Sequence, residues 1–574
     1  MFTLSQLAAL GLAVSSLCSA TPEAAGQSLI ANSTIVPSEA AARKNAFAIF
    51  NSLHSALRQW GSSLNHNGMS LFLVIIPPGV VLHHGTHSPI PPKGPEWLAF
   101  EIEHAEQFAR ARHKFPPPSS PGSEPGGRPG VSPGPPPFPN AKDEQHPFPF
   151  PPAISSKDHL PHPKPWTKVG GEEESHGYLH TYRTIAPLPL LYLDGTSAGN
   201  TPQGTLDTQD FLLRLNRTAD IMDEWGRARE LCDLVTAWGL SGVIRMEAGF
   251  EVILCDFKDP AIKFDGARQR PDAKFERPPG PPGSGRQDEG EQVRIFEYMR
   301  AVARRYDGIG SGRANIDWRA VVSALWYDVD VVWERGMPRL SGLTDEQLKG
   351  LRSRIEELVR KRGSGAETES GIDWQAVVDM IVARYAERLQ VMVQDESLLQ
   401  LIRVEVSSLL DTYIDYGEKD EGFSAAMARC AKMYTSPLTL TTLEDHAILA
   451  AVETVTFAIC TALFDVRKLV VENEDADEAA VEKAKQVVKN LMQKLGWTTF
   501  KKCTPGCGYG EVCFIPMWPF GDRDSYKKPN CRNATTITRG WWENSYWDWM
   551  FPRKPPSDGE GSRKGLERGN AGNL

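Results

Sequence analysis

The chain has 574 residues, too many for a single domain, and 41% of them are hydrophobic, which is enough to form buried cores. Its formal net charge is −9 and no long basic block occurs, so the sequence argues against nucleic acid as a main partner.

The N-terminus has the composition of an export signal. The first 20 residues carry no charged side chain, contain an apolar run from Leu7 to Val14, and end in Cys18-Ser19-Ala20. This pattern predicts a signal peptide over residues 1–20 and therefore a secreted, extracellular protein. The apolar run is too short to cross a bilayer, so we expect no membrane span here.

An α+β domain is predicted over residues 38–259. It begins with a helix from Ser38 to Trp60, and a second helix is expected over 210–238. Residues 115–171 are dominated by Pro, Gly, Ser and His, which predicts a disordered insertion because so few aliphatic side chains cannot offset the entropy of ordering. Apolar runs predict strands at 71–76, 80–86, 94–100, 178–184, 188–193, 242–245 and 250–255.

The remainder of the chain is expected to be mostly helical. Residues 260–292 are predicted to be a linker, 293–500 an α-helical domain, 501–550 a small Cys- and Trp-rich module, and 551–574 a disordered tail. The long apolar stretch from Ala447 to Phe464 is interrupted by Glu453 and by threonines. That interruption favours a buried helix over a membrane span.

A short sequence recurs in the helical region. Ile316-Asp317-Trp318-Arg319-Ala320-Val321-Val322 is followed later by Ile372-Asp373-Trp374-Gln375-Ala376-Val377-Val378. The two copies predict a duplicated helical unit, in which Asp317 and Asp373 serve as helix N-caps and have no catalytic role.

The cysteines outside the signal peptide are even in number, which predicts four disulfides in a secreted chain. We expect the last four to pair with one another. A zinc site of four thiolates is the competing interpretation, disfavoured by the uneven spacing. Sequons at Asn32, Asn216 and Asn533 predict N-glycosylation. The eight cysteines are Cys232, Cys255, Cys430, Cys460, Cys503, Cys507, Cys513 and Cys531.

Two polar residues stand out in the predicted strands. Alternate side chains of a strand share a face, so His84 lies with Leu82 while His83 points the other way. Glu251 lies with Ile253 and Cys255 in an otherwise apolar strand. A carboxylate there must face solvent, pair with a cation or line a cleft.

Three segments in this order resemble the signature strands of the ADP-ribosyltransferase fold, in its His-Tyr-Glu, poly-ADP-ribose-polymerase-like branch. They are His84-Gly85-Thr86, Trp97-Leu98-Ala99 and Glu251-Val252-Ile253-Leu254. The resemblance covers roughly residues 70–257. It implies a split sheet, and Tyr182 lies in a segment similar to the strands between the second and third motifs.

The resemblance implies that NAD is the co-substrate. His84 would hydrogen-bond the adenosine-side ribose, the Gly85 backbone would bind the carboxamide of nicotinamide, and Trp97 would stack on the nicotinamide ring. Thr86 and Tyr182 would complete the NAD site. Glu251 would stabilise the oxocarbenium ion that develops on the ribose. Trp97 stands where the family usually has tyrosine, and its larger ring would either stack or block the pocket.

Each of these residues also has a purely structural interpretation. His84 fits a hydrogen-bonded structural histidine, Trp97 a core residue, and Glu251 an exposed edge residue whose role Glu247 takes instead. His83, His84 and His87 are not expected to form a metal site, because adjacent histidines point to opposite strand faces and no carboxylate lies close in sequence.

The fold predicted is therefore an α+β N-terminal domain with an ADP-ribosyltransferase-like sheet, a mostly α-helical domain and a disulfide-rich module. The predicted function is transfer of ADP-ribose from NAD to a protein or small-molecule acceptor, or hydrolysis of NAD. The alternative is a non-catalytic secreted binding or effector protein with a degenerate fold. Its tryptophan cluster, Trp541 to Trp549, would then contact a host or cell-surface partner.

Overall fold

The structure is a computed structural model, and it describes residues 35–109, 176–271, 289–362, 370–417, 423–541 and 544–547. The predicted signal peptide, the insertion at 115–171 and the tail at 551–574 lie outside the described residues, as does Asn32.

The strands of the described residues are numbered in chain order. They are β1 (Asn67–Ile76), β2 (Val81–Thr86), β3 (Glu96–Ala99), β4 (Tyr178–Thr184), β5 (Leu188–Gly195), β6 (Gly242–Glu247), β7 (Gly249–Leu254), β8 (Ile262–Gln269), β9 (Asn315–Ser323), β10 (Val332–Glu334), β11 (Met337–Arg339), β12 (Val512–Phe514) and β13 (Asn530–Arg532).

The α-helices are numbered in the same way, and a π-helix spans Thr208–Leu213. They are α1 (Glu39–Lys44), α2 (Ala46–Ser55), α3 (Gln59–Leu64), α4 (Ile102–Glu106), α5 (Glu224–Ala237), α6 (Glu289–Ala303), α7 (Asp345–Lys361), α8 (Trp374–Met392), α9 (Leu399–Leu410), α10 (Phe423–Lys432), α11 (Leu443–Val470), α12 (Glu478–Leu495) and α13 (Arg523–Lys527).

The first nine strands form one mixed sheet in the order β8-β4-β2-β3-β7-β6-β5-β1-β9. Only β5 and β6 run parallel among these pairs. Strands β2 and β3 are paired at a single position, where His83 lies opposite Ala99. The sheet is therefore weakly joined there, between the group β8-β4-β2 and the remaining six strands. The predicted α+β N-terminal region is confirmed, and so is the helical C-terminal part.

The sheet extends beyond the predicted domain boundary at Asp259. Strand β8 lies inside the predicted linker at 260–292 and pairs along its length with β4. Its sequence, IKFDGARQ, is half-exposed at the edge of the sheet, so it lacks the apolar run that identifies an inner strand. The linker prediction is therefore wrong for Ile262–Gln269.

The two copies of the recurring sequence adopt different structures. The first copy lies in β9, which pairs with β1, so the predicted N-cap role of Asp317 is wrong. The Asp317 carboxylate instead accepts a hydrogen bond of 2.7 Å from Nε of Arg319. The second copy opens α8, and Asp373 is its N-cap, accepting from the Ala376 N–H at 3.0 Å. No duplicated helical unit results.

One hydrophobic core joins the sheet to the C-terminal helices. It contains Phe72 of β1, Ile244 of β6 and Ile459 of α11. Helices α1 and α2, which belong to the predicted N-terminal domain, pack against α11. Phe50 of α2 stacks on Trp497, with ring centroids 5.7 Å apart. The predicted N-terminal and helical domains thus share their core instead of each having its own.

Helix α11 has 28 residues and is long and apolar enough to cross a membrane by length and composition. Core helices of soluble proteins pass the same test. In the folded chain, 61% of the most apolar 18-residue stretch of this helix is buried. Val455, Ile459 and Leu463 lie along its buried side.

Four disulfides involve all eight cysteines predicted to pair: Cys232–Cys255, Cys430–Cys460, Cys503–Cys513 and Cys507–Cys531. The internal pairing of the last four is confirmed. Disulfides are typical of proteins from oxidising compartments.

The Cys- and Trp-rich module packs on the rest of the protein through a second core. Phe514 and Trp541 of the module join Trp60 of α3 and Phe296 of α6 in this core. Trp547 is also fully buried and contacts Trp518 edge-on. The expectation that the tryptophan cluster forms an exposed contact surface is therefore wrong for Trp541 and Trp547.

Candidate active-site pocket

A pocket lies at the weak junction between β2 and β3. The space between its lining atoms, counting its open mouth, is about 450 Å³. Residues of α4 and the start of α5 close it, through His104 and Trp225. The sheet lines it with His83, His84, Gly85, Glu96, Trp97 and Glu251.

The strand register brings the distant segments together. His83 on β2 lies opposite Ala99 on β3, Ala99 lies opposite Glu251 on β7, and Glu251 lies opposite Arg245 on β6. Residues directly opposite each other on neighbouring strands project from the same face of a sheet, so His83, Glu251 and Arg245 share one face. His84, the next residue of β2, projects from the other face, where its ring lies 5.6 Å from that of His180. Four of the six predicted ligand-binding and catalytic residues line this pocket, namely His84, Gly85, Trp97 and Glu251.

Thr86 and Tyr182 do not line the pocket. Tyr182 is fully buried, and its ring packs against Phe257 and Phe264 at centroid distances of 5.1 and 5.2 Å. Thr86 is buried at the end of β2, where its Oγ1 accepts from the Ser88 N–H at 3.4 Å. Both were expected to contact NAD, and their side chains instead face the protein interior.

Gly85 is required by packing of the protein on itself. A Cβ atom at this position would lie 1.9 Å from the carbonyl oxygen of Ala105 and 2.7 Å from the nitrogen of Ala109. The glycine therefore lets the segment after β3 approach strand β2 closely. The predicted role of the Gly85 backbone, binding the carboxamide of nicotinamide, does not account for this contact.

His84 is held in one orientation and is uncharged. Its Nδ1 donates to the carbonyl of Trp97 at 2.8 Å, which leaves Nε2 as an acceptor. Burial lowers the pKa of His84 to about 3, so the imidazole is neutral at physiological pH. The Nε2 atom is buried and has no hydrogen-bond partner among the described residues.

Glu251 is a buried carboxylate held by a guanidinium. Its Oε1 accepts from Nε and Nη2 of Arg245 at 3.0 and 2.6 Å, and Oε2 accepts from none of the described residues. Burial raises the pKa of Glu251 to about 7, against the opposing effect of Arg245, and the carboxylate of Glu247 raises it further.

Arg245 is the centre of a buried polar cluster behind the pocket. Besides Glu251 it donates to Glu224 at 2.9 Å and to Gln209 at 3.1 Å. Glu224 also accepts from Arg227, whose guanidinium binds Asp210 at 2.9 Å. Sequence reasoning missed these partners. An arginine inside the apolar strand Gly242–Glu247 was the one signal that could have found them.

Trp97 and Glu96 occupy neighbouring positions of the pocket wall. Trp97 contacts Trp225 edge-on, with centroids 4.7 Å apart and ring planes at 90°. It also packs against Ile253 and the disulfide of Cys232. Burial raises the pKa of Glu96 to about 8, so this carboxyl is protonated near neutral pH. Sequence reasoning did not identify Glu96.

The candidate glycosylation sites that the structure describes, Asn216 and Asn533, are both half-buried. The Asn533 Oδ1 accepts from the N–H and hydroxyl of Thr535, which belongs to its own sequon. Glycosylation of either residue stays a prediction.

The part of the chain that is similar to a known protein family includes all the residues that line the pocket. The family model of the YPL277C N-terminal domain matches residues 39–266, which include every pocket residue and most of β8. The chain is 25% identical over 543 residues to the uncharacterized protein YOR389W of Saccharomyces cerevisiae, covering 83% of this chain and 82% of that protein. It is 26% identical over 392 residues to the uncharacterized protein YPL277C of the same yeast, covering 60% of this chain and 74% of that one. No solved structure matches the chain.

Proposed function

We propose that the pocket binds NAD and that the protein cleaves the bond between nicotinamide and ribose, passing ADP-ribose to water or to an acceptor. One observation carries the proposal: His84, Trp97 and Glu251, which come from three separate segments, line the same pocket. A neutral imidazole, an indole and a carboxylate are the groups that this chemistry needs. They supply an acceptor for ribose hydroxyls, a flat surface for the nicotinamide ring and a negative charge.

The cleavage step assigns a role to the carboxylate. As the bond from ribose C1′ to the nicotinamide nitrogen breaks, its electron pair moves to the nitrogen, and neutral nicotinamide leaves. Positive charge then develops on the ribose, and the carboxylate of Glu251 stabilises it. The acceptor oxygen bonds to C1′ and loses its proton to solvent. Arg245 fixes Oε1 of Glu251, so the carboxylate is oriented before the substrate binds.

Release of nicotinamide from NAD by the purified full-length protein tests this proposal. We expect release by the wild type and a loss of about 100-fold or more in Glu251→Gln, as is typical when one electrostatic contact to a transition state is removed. Glu230→Gln is the matched control, because Glu230 is an exposed carboxylate on α5 that binds Arg214 at 2.8 Å, away from the pocket. Absence of release by the wild type, or equal release by Glu251→Gln, would contradict catalysis.

A second candidate is a protein that binds the dinucleotide without cleaving it. The contact that favours it is the guanidinium of Arg245, which lies 2.6 Å from Glu251 and offsets part of the negative charge that cleavage needs. Calorimetry separates the two candidates. Binding of NAD without release of nicotinamide supports the binding protein, whereas absence of binding rules out both.

A further inference from the structure

We propose that His104, Glu247 and Glu251 form a binding site for a divalent transition-metal cation. The three side chains each offer one ligand atom, and these atoms lie within 4.8 Å of one another. They come from α4, β6 and β7, so the fold assembles the group from distant parts of the chain. All three residues are buried.

The spacing of two of the ligand atoms suits a shared ion better than a hydrogen bond. Nε2 of His104 lies 3.6 Å from Oε1 of Glu247, which is too long for a hydrogen bond. Two ligands at about 2.1 Å from a tetrahedral ion are separated by about 3.4 Å, given that bond length and the tetrahedral angle. An ion between the two side chains would therefore require only small movements.

One ligand atom of the group lacks the hydrogen-bond partner that a buried polar atom normally has. Glu247 is 3% exposed, and its Oε1 has no hydrogen-bond partner among the described residues. A buried carboxylate oxygen without a hydrogen-bond donor lowers the stability of the fold, and a cation bound to that oxygen would restore the lost stability.

The charges around the site also leave one carboxylate without a counter-charge. Arg245 donates to Glu224 and Glu251 and makes no hydrogen bond to Glu247 among the described contacts. The buried cluster has one more carboxylate than it has guanidinium groups. The carboxylates are Asp210, Glu224, Glu247 and Glu251, and the guanidiniums are those of Arg214, Arg227 and Arg245.

The ligand types and the access route indicate the class of ion. One imidazole nitrogen with carboxylate oxygens suits Zn²⁺ and the ions near it in the transition series. His104 and Glu251 also line the pocket, so the site adjoins the pocket on that side. A site with three protein ligands and an open position is the arrangement of catalytic zinc centres. The competing occupant is a proton on Glu247.

Titration of the chelator-treated full-length protein with Co²⁺ and then Zn²⁺ tests the proposal. We expect one equivalent of Co²⁺ to give visible absorption, and Zn²⁺ to displace it. Cys232 and the seven cysteines that follow it are all in disulfides, so these eight cannot produce the signal as thiolates. Failure of the wild type to take up one equivalent would overturn the proposal. The titration contains no NAD, so its outcome is independent of the proposed function.

Variants show which residues bind the ion. We expect Glu247→Gln to weaken Zn²⁺ binding by about 100-fold or more, since loss even of outer-shell partners costs about 10- to 100-fold. Asp194→Asn is the matched control, because Asp194 is a buried carboxylate whose partners are Ser52 and the Gly195 N–H. Unchanged affinity in Glu247→Gln would overturn the assignment. If that variant does not fold, His104→Gln is titrated in its place, with the same criterion.

Thermal stability separates a cation from a proton. In the metal-free protein, Glu247→Gln is expected to melt at or above the wild-type temperature, because it removes a buried group without a counter-charge. With Zn²⁺ present the order should reverse, because only the wild type gains stability from binding. The same order with and without Zn²⁺ would indicate that a proton, and not a cation, neutralises Glu247.

Discussion

The guanidinium of Arg245 contacts three acceptors inside the protein, on Gln209, Glu224 and Glu251. We expect Arg245→Leu to lower the free energy of unfolding by about 3–5 kcal/mol, because removal of one partner leaves buried carboxylates uncompensated. Urea unfolding measures the loss. Arg183→Leu is the control, since Arg183 is half-exposed, binds Asp265 at the surface, and should cost less than about 1 kcal/mol. Equal losses in the two variants would show that the buried cluster contributes no special stability.

If NAD binds in the pocket as proposed, the carboxyl of Glu96 should make its affinity depend on pH. Burial raises its pKa to about 8, so it is neutral near pH 7 and becomes negative as the pH rises through that value. The diphosphate of NAD is negative at all these pH values. We therefore expect the affinity for NAD to fall between about pH 7 and pH 9, and Glu96→Gln to remove most of that fall. Calorimetry across this range checks it, and an unchanged fall in the variant would assign the dependence to another group.

The contact of Gly85 with the segment after β3 predicts a cost for any side chain there. Gly85→Ala places a Cβ 1.9 Å from the Ala105 carbonyl, and such overpacking usually costs about 1–3 kcal/mol. Gly94→Ala is the matched control, because its Cβ would meet nothing within 4 Å. Chemical unfolding compares the two. A Gly85→Ala variant as stable as Gly94→Ala would mean that α4 moves away without loss.

At the scale of elements, two nearly identical sequences show where sequence reasoning ends. Ile316-Asp317-Trp318 lies in β9, and Ile372-Asp373-Trp374 leads into α8. Their side chains suit either structure, and the free edge of β1 determines the outcome for the first copy. This pairing joins segments far apart in the chain, so no local pattern contains it.

The N-cap of helix α8 was predicted correctly from the local sequence, and it can be tested by substitution of Asp373. Asp373→Ala should lower the free energy of unfolding by about 1 kcal/mol, because the Ala376 N–H loses its acceptor. Asp373→Ser should retain most of that stability, since serine also caps helices well. Equal losses from the two substitutions would mean that Asp373 acts through its charge and not as a cap.

The candidate site could be predicted only in part, because it too depends on pairing between strands that are far apart in the chain. The strand patterns and the order of the three motifs indicated His84, Trp97 and Glu251 from sequence. Their convergence on one pocket depends on the register of β2, β3 and β7. The buried partners Glu224 and His104 could not be identified, because each is ordinary in its own segment and becomes informative only beside the others. Arg245 left a signal, as a charged residue inside an apolar strand.

At the scale of the whole molecule, the sheet and the C-terminal helices stabilise one another. Helix α11 packs on α1 and α2, and Trp497 completes the core beside Phe50. The predicted division into separate N-terminal and helical domains did not anticipate this shared core, since apolar periodicity shows which face of an element is buried and not what covers it. The C-terminal module is likewise joined to α3 through Trp60.

The central claim is that this fold assembles one NAD site from three distant segments. A crystal structure of the full-length protein with a non-hydrolysable NAD analogue tests it most directly. We predict that the nicotinamide ring lies against Trp97 and its ribose beside Glu251, with His84 near the other ribose. An empty pocket at saturating analogue, or an analogue bound elsewhere on the protein, would contradict the claim.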